Sequence, residues 1–376
     1  MTDDLQLQPQ ASFYFANAAA GVMLPDVLEA TIGHLRREAA IGAVPAAAEA
    51  SDLLATGYAA AAQLIAADVA EVAFVESGNR ALAALIQSAA LKPGDHVLVD
   101  RTCWGGTLQM LSSYPDIIID VMPVDQHGRV DVDAAREQAH PATKLIVLTW
   151  CPATCGFFNP AEAVGLVAED IGAFYIVDAC QVAGQRSINV SDLRCHGLAA
   201  SGRKWLRGPR GTALLYASRA YLAATRPFMP DQFGQGRTDA RRYETGESNV
   251  AGRIGLSVAL HAALTLGVDV IARRLTETAN VLRHRIRALP GAAIVEQGPD
   301  LAGFVTVAGL DVARTVAELA REGISVSSPT RAYAPLDMDA RGLAGVIRIA
   351  PHLFSTAAEI DGLIAVLERM VTTSRS

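Results

Sequence analysis

The stretch that decides the fold is FYIVDACQ (residues 174–181), followed twenty-six residues after its aspartate by the lysine of ASGRKWLRGPRG (residues 200–211). Phe174–Val177 is a short continuous apolar run, not an alternating one. Such a run reads as a strand covered on both faces, the pattern of a parallel sheet in an α/β protein. Asp178 closes the run at its C-terminal end, where parallel sheets collect ligands. A carboxylate there is either a satisfied structural group or the partner of a cationic ligand atom. In the second stretch, Lys204 follows small residues and sits between Arg203 and Arg207. A lysine in a confined, partly apolar pocket with cationic neighbours has a lowered pKa and can form a Schiff base, whereas an isolated lysine is more often a surface group.

Outward from this pair, apolar strands and helical segments alternate. VAFVESGN (72–79), HVLVD (96–100), IIIDVMPVD (117–125), KLIVLTW (144–150) and LAASGRKW (198–205) are separated by helical or turn segments, and GTALLYASR (211–219) adds a strand after a Gly-Pro-Arg-Gly turn. The pattern predicts an α/β domain with a mostly parallel sheet. Residues 25–67 are Ala-rich with helical spacing, and one long helical stretch is expected from Ile254 to Leu289. The remainder reads as a small α+β unit: AAIVEQ (292–297), GFVTVAG (303–309), a helix over 312–322, GISVS (323–327), GVIRIAP (345–351) and a final helix. The expected division is an N-terminal segment (1–20) contributing to the active site, a large domain (21–255), and a linking helix with a small C-terminal domain (256–376).

Composition bounds the function. A chain of 376 residues with 51% hydrophobic and 19% charged residues can bury a large core and is not disordered. The balance of 32 Lys+Arg against 39 Asp+Glu lacks the basic excess of a nucleic-acid binder. The one basic cluster, Arg237, Arg241 and Arg242, has Asp239 and Glu244 beside it and reads as a loop or site wall. MTDDLQLQPQ has neither the basic nor the apolar region of a secretory signal, and no charge-free apolar run reaches eighteen residues. A cytoplasmic protein without a membrane segment is expected. Five irregularly spaced cysteines read as reduced thiols, and CPATC (151–155) is a poor zinc signature, so no metal is expected.

A third element, ESGNRAL (76–82), is a Gly-containing turn opening a helix after a strand. Backbone N–H groups at such a start favour phosphate. The order is informative: an anion site, then a strand-end carboxylate, then a lysine. A phosphorylated pyridine aldehyde needs all three, for its phosphate, its ring nitrogen and its aldehyde.

Six ordered segments together resemble the class V aminotransferase and cysteine desulfurase family of fold-type I pyridoxal-phosphate enzymes. FANAAAGVMLPDVLEA (15–30) resembles the opening segment, CGFFNP (155–160) the central loop, and VDACQVAGQRSINV (177–190) the ring-nitrogen strand. SGRKWLRGPRG (201–211) resembles the lysine loop, RRYETGESNVAGRIGL (241–256) the inter-subunit phosphate loop, and VIRIAPHLFSTAAEID (346–361) the carboxylate-binding strand. The resemblance implies a large domain with a mostly parallel seven-stranded sheet, a small C-terminal α+β domain and pyridoxal 5′-phosphate as cofactor. It implies that Lys204 binds the aldehyde and later moves the Cα proton, Asp178 pairs with the pyridinium, and Gln181 bonds the phenolic oxygen. Gly78, Asn79, Arg80, Ser201 and Arg203 are expected at the phosphate. Gly246 and Glu247 are expected to reach it from the partner of a homodimer. Arg348 is expected to grip the substrate carboxylate, with Asn17, Arg331 and Tyr333 also on the substrate side and Trp104 the nearest aromatic to the ring.

Departures from the family pattern narrow the chemistry. Where cysteine desulfurases carry a nucleophilic cysteine, SSPTRAYAPLDMDARG (327–342) has none. Arg203 replaces the usual histidine before the lysine, Ala153 stands near the usual central-loop asparagine, and Glu247 stands where a hydroxyl residue is favoured. REAAIGAVPAAAEA (37–50) and ETGESNVAGR (244–253) are most similar to the C–S lyases of ergothioneine biosynthesis and their relatives in sulfur-containing antibiotic pathways. The expectation is a lyase cleaving an S-substituted L-cysteine, or its sulfoxide, to a thiol product, pyruvate and ammonia. Decarboxylation-coupled oxidative deamination of such a conjugate is the runner-up, with amino transfer or epimerisation behind it.

Overall fold

The structure is a computed structural model that describes residues 13–232 and 234–373. Residues 1–12 of the expected N-terminal segment lie outside the described residues. Ten strands form two sheets: β1 (Val72–Val75), β2 (His96–Val99), β3 (Ile118–Val121), β4 (Thr143–Thr149), β5 (Phe174–Asp178), β6 (Gly197–Ser201), β7 (Ala213–Ala217), β8 (Ala293–Ile294), β9 (Val305–Ala308) and β10 (Ile347–Ile349). The large sheet has seven strands in the order β1-β7-β6-β5-β4-β2-β3. Its pairs are parallel from β3 through β6, and only β7 runs against both of its neighbours.

The continuous apolar runs are explained by the two cores they serve. Ile146, Leu148, Tyr175, Val177 and Leu198 pack on one face of the large sheet. Leu145, Val147, Ile176, Ala199 and Leu215 pack on the other. Successive side chains of a strand point to opposite faces, so a strand buried on both must be apolar throughout. The seven-stranded, mostly parallel expectation therefore holds.

The small sheet, β10-β9-β8, is antiparallel and packs under the helices Val268–Arg287, Val312–Arg321 and Ala357–Thr373. Here the structure corrects two expectations. The long helical stretch is two helices, Val250–Leu266 and Val268–Arg287, bent by 79°. Gly267 between them has φ +81°, a conformation that favours glycine and stops an α-helix. The first helix also starts at Val250, four residues before the expected start, because the Asn249 side chain accepts from Gly252 N–H at 2.8 Å. GISVS forms isolated bridges, Ser325 to Tyr14 and Ser327 to Arg348, in place of a strand. Among the described residues no single helix is long and apolar enough to cross a membrane.

Residues 13–24 strap the two sheets together. Tyr14 bridges Ser325 and Ala16 bridges Ala350 beside the small sheet. A few residues on, Gly21 N–H donates to Arg203 O at 2.8 Å and Val22 O accepts from Arg207 Nε at 2.6 Å, in the lysine loop.

A buried ion pair fixes the central loop to the small sheet. Arg283 Nε donates to Glu296 Oε1 at 3.0 Å, and its Nη2 donates to Ala302 O and Phe304 O. Glu296 in turn accepts from the backbone of Gly156 and Thr306. Removing one member strands the other charge in the core. Glu296→Ala is therefore expected to lose about 3–5 kcal/mol of unfolding free energy, read by chemical denaturation.

Candidate active site

The C-terminal ends of β4, β5 and β6 and the start of the helix Gly78–Ser88 surround a cavity of about 470 Å³. Its walls bring together ten of the expected residues: Gly78, Asn79, Trp104, Asp178, Gln181, Ser201, Arg203, Lys204, Tyr333 and Arg348.

One end of the cavity is built for an anion. Ser77 caps the helix, its Oγ accepting from Arg80 N–H at 3.1 Å, which leaves the first N–H groups of the helix without intrahelical partners. A Cβ at position 78 would collide with Cys180 Sγ and touch Ser201 Oγ, so only glycine lets this helix start reach the ends of β5 and β6. Arg203 and Arg210 stand on the same side. Val75 pairs with Ala213, and the antiparallel register then returns Gly211 and Arg210 beside Ser77 and Gly78. Burial, and then Arg210, lower the pKa of the Arg203 guanidinium.

The lysine loop is held at several points. Trp205 Nε1 donates to Gln181 Oε1 at 2.9 Å, and Gln181 Nε2 donates to Ala18 O at 2.9 Å. Gly184 has φ +93°, and a Cβ there would press into the backbone of Trp205. Arg207 takes a left-handed φ of +62°, and its N–H donates to Lys204 O at 3.0 Å. Burial is the main cause that pushes the Lys204 ammonium pKa down. Arg348 and Arg203 add to it, against Cys180 and Asp178. Asp178 Oδ1 accepts the N–H of Cys180 at 2.9 Å, and among the described residues no basic side chain ion-pairs with this carboxylate.

Arg348 also lines the cavity and is 2% exposed. Its Nε donates to Ser327 Oγ and its Nη1 to Ala153 O, each at 3.0 Å, and no described carboxylate pairs with it. Burial lowers its pKa to about 10. A buried guanidinium without an acid partner is a costly arrangement unless an anion arrives. Trp104 and Tyr333 form the remaining wall, edge to face at 5.0 Å.

Several expected residues stand elsewhere. Arg80 points outward, its Nη1 3.6 Å from Met229 Sδ. Asn17 is buried, and its amide donates to Ala350 O and Tyr14 O, so it holds the strap. Arg331 is exposed and forms two bonds of 2.5 Å with Asp339. Gly246 and Glu247 lie outside this chain's cavity. Conversely, the sequence reading missed Arg210, Thr149 and Cys180, all of which line it. The Gly-Pro-Arg-Gly turn carried the signal for Arg210, since a strand folding back on β6 must start beside its ligand end.

A sequence profile of the family described as Aminotransferase class-V matches residues 13–363. The chain belongs to the class V aminotransferase family. Its cofactor is pyridoxal 5′-phosphate, and the residues present fit that group: a helix start closed by a required glycine, a strand-end carboxylate, and a lysine with a lowered pKa. This class V enzyme is 29% identical over 372 residues to a Mycobacterium tuberculosis protein named "Probable hercynylcysteine sulfoxide lyase", covering 96% of this chain and 90% of the relative. It is 28% identical over 295 residues to a Xylella fastidiosa protein named "Probable cysteine desulfurase", covering 74% and 70%. The fold is similar to that of the cysteine desulfurase of Thermococcus onnurineus, with a TM-score of 0.87 at 22% identity over 96% of this chain and 95% of the other.

Behind Trp104 the class V enzyme buries a second carboxylate. Asp100 accepts from Thr149 N–H at 2.6 Å and from the Thr102 hydroxyl, and Thr149 Oγ1 accepts from Trp104 N–H at 3.3 Å. Burial raises the Asp100 pKa from 3.8 to about 7, with Asp178 adding to the rise. A carboxyl whose folded pKa exceeds its unfolded one favours folding below the unfolded value, and that stability is lost as pH rises through the folded one. Melting curves between pH 4 and 7 are expected to show stability declining with pH from this group. In Asp100→Asn that component of the slope is absent.

Proposed function

We propose that this enzyme is a C–S β-lyase acting on an S-substituted L-cysteine or its sulfoxide. The observation that carries the reading is that residues 327–342, which reach the cavity, hold no cysteine. The segment that closes the cavity contributes Tyr333 and no cysteine, and the two thiols that line it, Cys151 and Cys180, are pushed up by burial, Cys180 to about 12. Neutral thiols are poor nucleophiles. No side chain of the cavity is thus prepared to take sulfur from the substrate, and sulfur leaves with its substituent. The relative named for hercynylcysteine sulfoxide cleavage supports the same reading.

Pyridoxal phosphate, when bound, supplies the electron sink that makes a Cα carbanion accessible. The helix start at Gly78 and Asn79, with Ser201, Arg203 and Arg210, holds the phosphate dianion. Asp178 keeps the ring nitrogen protonated, and Gln181 has one amide hydrogen left for the phenolic oxygen. Arg348, whose Nη2 has no acceptor among the described residues, binds the substrate carboxylate and so helps to place Cα within reach of Lys204. Lys204 Nζ, whose pKa burial lowers, removes the Cα proton; the Cβ–S bond breaks as the Cα–Cβ double bond forms. Tyr333 meets the departing sulfur. Hydrolysis of the released enamine gives pyruvate and ammonia. A homodimer is part of the proposal, with Gly246 and Glu247 of one copy reaching the phosphate region of the other. So are a cytoplasmic setting and a large and a small domain.

Mass spectrometry of products from a panel of cysteine S-conjugates and sulfoxides tests the reading: pyruvate, ammonia and a thiol or sulfenate are expected. Carbon dioxide and an S-linked aldehyde without pyruvate would replace the lyase by the oxidative branch. Arg348→Gln is expected to raise KM by about 10- to 100-fold, the worth of a charged hydrogen bond, whereas Arg331→Ala leaves turnover unchanged. Loss of one phosphate cation in Arg210→Ala is expected to weaken cofactor binding by about tenfold, measured by titration of the cofactor-free protein.

A further inference from the structure

The segment that lacks the cysteine is itself unusually fixed. Asp337, 1% exposed, lies on the short helix Pro335–Ala340, outside the cavity. Its Oδ1 accepts from Arg101 Nε at 2.9 Å and from Arg341 Nε at 3.0 Å, so one buried carboxylate joins two guanidiniums. Arg341 Nη1 reaches Val295 O at 3.3 Å, which anchors the cluster to the small-sheet side.

Arg101 belongs to a different element. It follows β2 in the loop that carries Asp100, Thr102 and Trp104, and Asp100 binds that loop to β4. The loop and the 331–341 segment therefore meet twice. Arg101 meets Asp337, and Trp104 meets Tyr333 with ring planes at 87°. Between these contacts Gly105 packs on the backbone of Ala332, where a Cβ would collide with the carbonyl oxygen. Both aromatic side chains of the cavity wall are thus mounted on segments joined by one buried ion cluster.

We propose that the Asp337–Arg101–Arg341 cluster is a latch that sets the spacing of the Trp104–Tyr333 wall and thereby selects the sulfur substituent the enzyme accepts. Asp337 is a positioning residue: it touches neither substrate nor cofactor and acts through the two aromatics. The choice of S-substituted cysteines as the discriminating ligands rests on the proposed lyase reading, but the latch itself does not. A wall held rigidly discriminates between substituents of different size, and a wall released from one side loses that discrimination while the carboxylate grip of Arg348 persists.

The test compares cofactor-loaded native enzyme with Asp337→Asn, Asp337→Glu and Arg101→Gln. S-methyl-L-cysteine and S-benzyl-L-cysteine are titrated against the absorbance of the bound cofactor, and hydrogen exchange of residues 101–106 and 331–341 is followed in parallel. In Asp337→Asn the ratio of the two dissociation constants is expected to move at least fivefold toward unity, with faster exchange in both segments and cofactor affinity within twofold of native. Asp337→Glu, which keeps the charge, recovers part of the ratio. Should Asp337→Asn not fold, Arg101→Gln, on the more exposed side of the cluster, reports the same ratio. A ratio unchanged, or both constants moving in proportion, overturns the latch and leaves Asp337 a purely structural group. A shifted ratio without pyruvate formation refutes the lyase reading and keeps the latch. If neither amino acid perturbs the native cofactor, the lyase reading falls, and unaltered exchange in both segments of Asp337→Asn overturns the latch as well.

Discussion

The hydrogen bond from the Trp205 indole to Gln181 Oε1 joins the two pieces of chain that carry the chemistry, the lysine loop and the extension of β5. Both partners are buried, so the bond competes with no water and neither group can be left unmade without penalty. It requires the loop to lie directly on the turn after β5, which the missing Cβ of Gly184 permits. Gln181 passes the restraint on to Ala18, and the Arg207–Val22 bond closes the circuit. Lys204 and Asp178 are therefore presented from one rigid unit although they lie twenty-six residues apart.

Much of this was legible in the sequence because period and position carry it. A strand apolar throughout must be covered twice, and an acid at its end must face the ligand edge; β5 obeys both rules. The lysine and the glycine-opened helix were readable for the same reason. What escaped was set by tertiary register and side-chain direction. Arg80 is one residue from Asn79 yet leaves the helix in another direction, because successive helical residues are 100° apart. Asn17 lies in a segment of the right resemblance but spends its amide on the backbone of Ala350. Arg331 and Tyr333, two residues apart on a tight turn, diverge: one pairs with Asp339 outside while the other faces Trp104. The break at Gly267 interrupts a stretch whose composition is helical on both sides, and a single glycine is a weak signal against so strong a context.

The electrostatics of the cavity have a single logic. Three guanidiniums, Arg203, Arg210 and Arg348, stand around it without acid partners among the described residues, and burial weakens the charged state of Lys204 as well. Such a cavity favours anionic groups, and their place is set by where these guanidiniums stand. On the proposed reading, the orientation of a bound amino acid then follows from that charge placement. Burial acts on the cavity thiols in the converse sense, pushing Cys151 and Cys180 up and so favouring their protonated form.

The strap of residues 13–24 has a consequence for how the molecule comes into being. Its partners are Ser325 and Ala350 at one end and Arg203 and Arg207 at the other. The strap lies N-terminal to all of these partners, and the two at the small-sheet end stand 311 and 334 residues further along the chain than the residues they bridge. The bridges to Ser325 and Ala350 close loops of that length, and closing so long a loop is entropically unfavourable and slow. The strands of the large sheet pair over shorter separations, so they can assemble before the strap docks on the lysine loop. Docking of the strap is thus expected as a late step of folding, after formation of the sheet that carries the lysine loop.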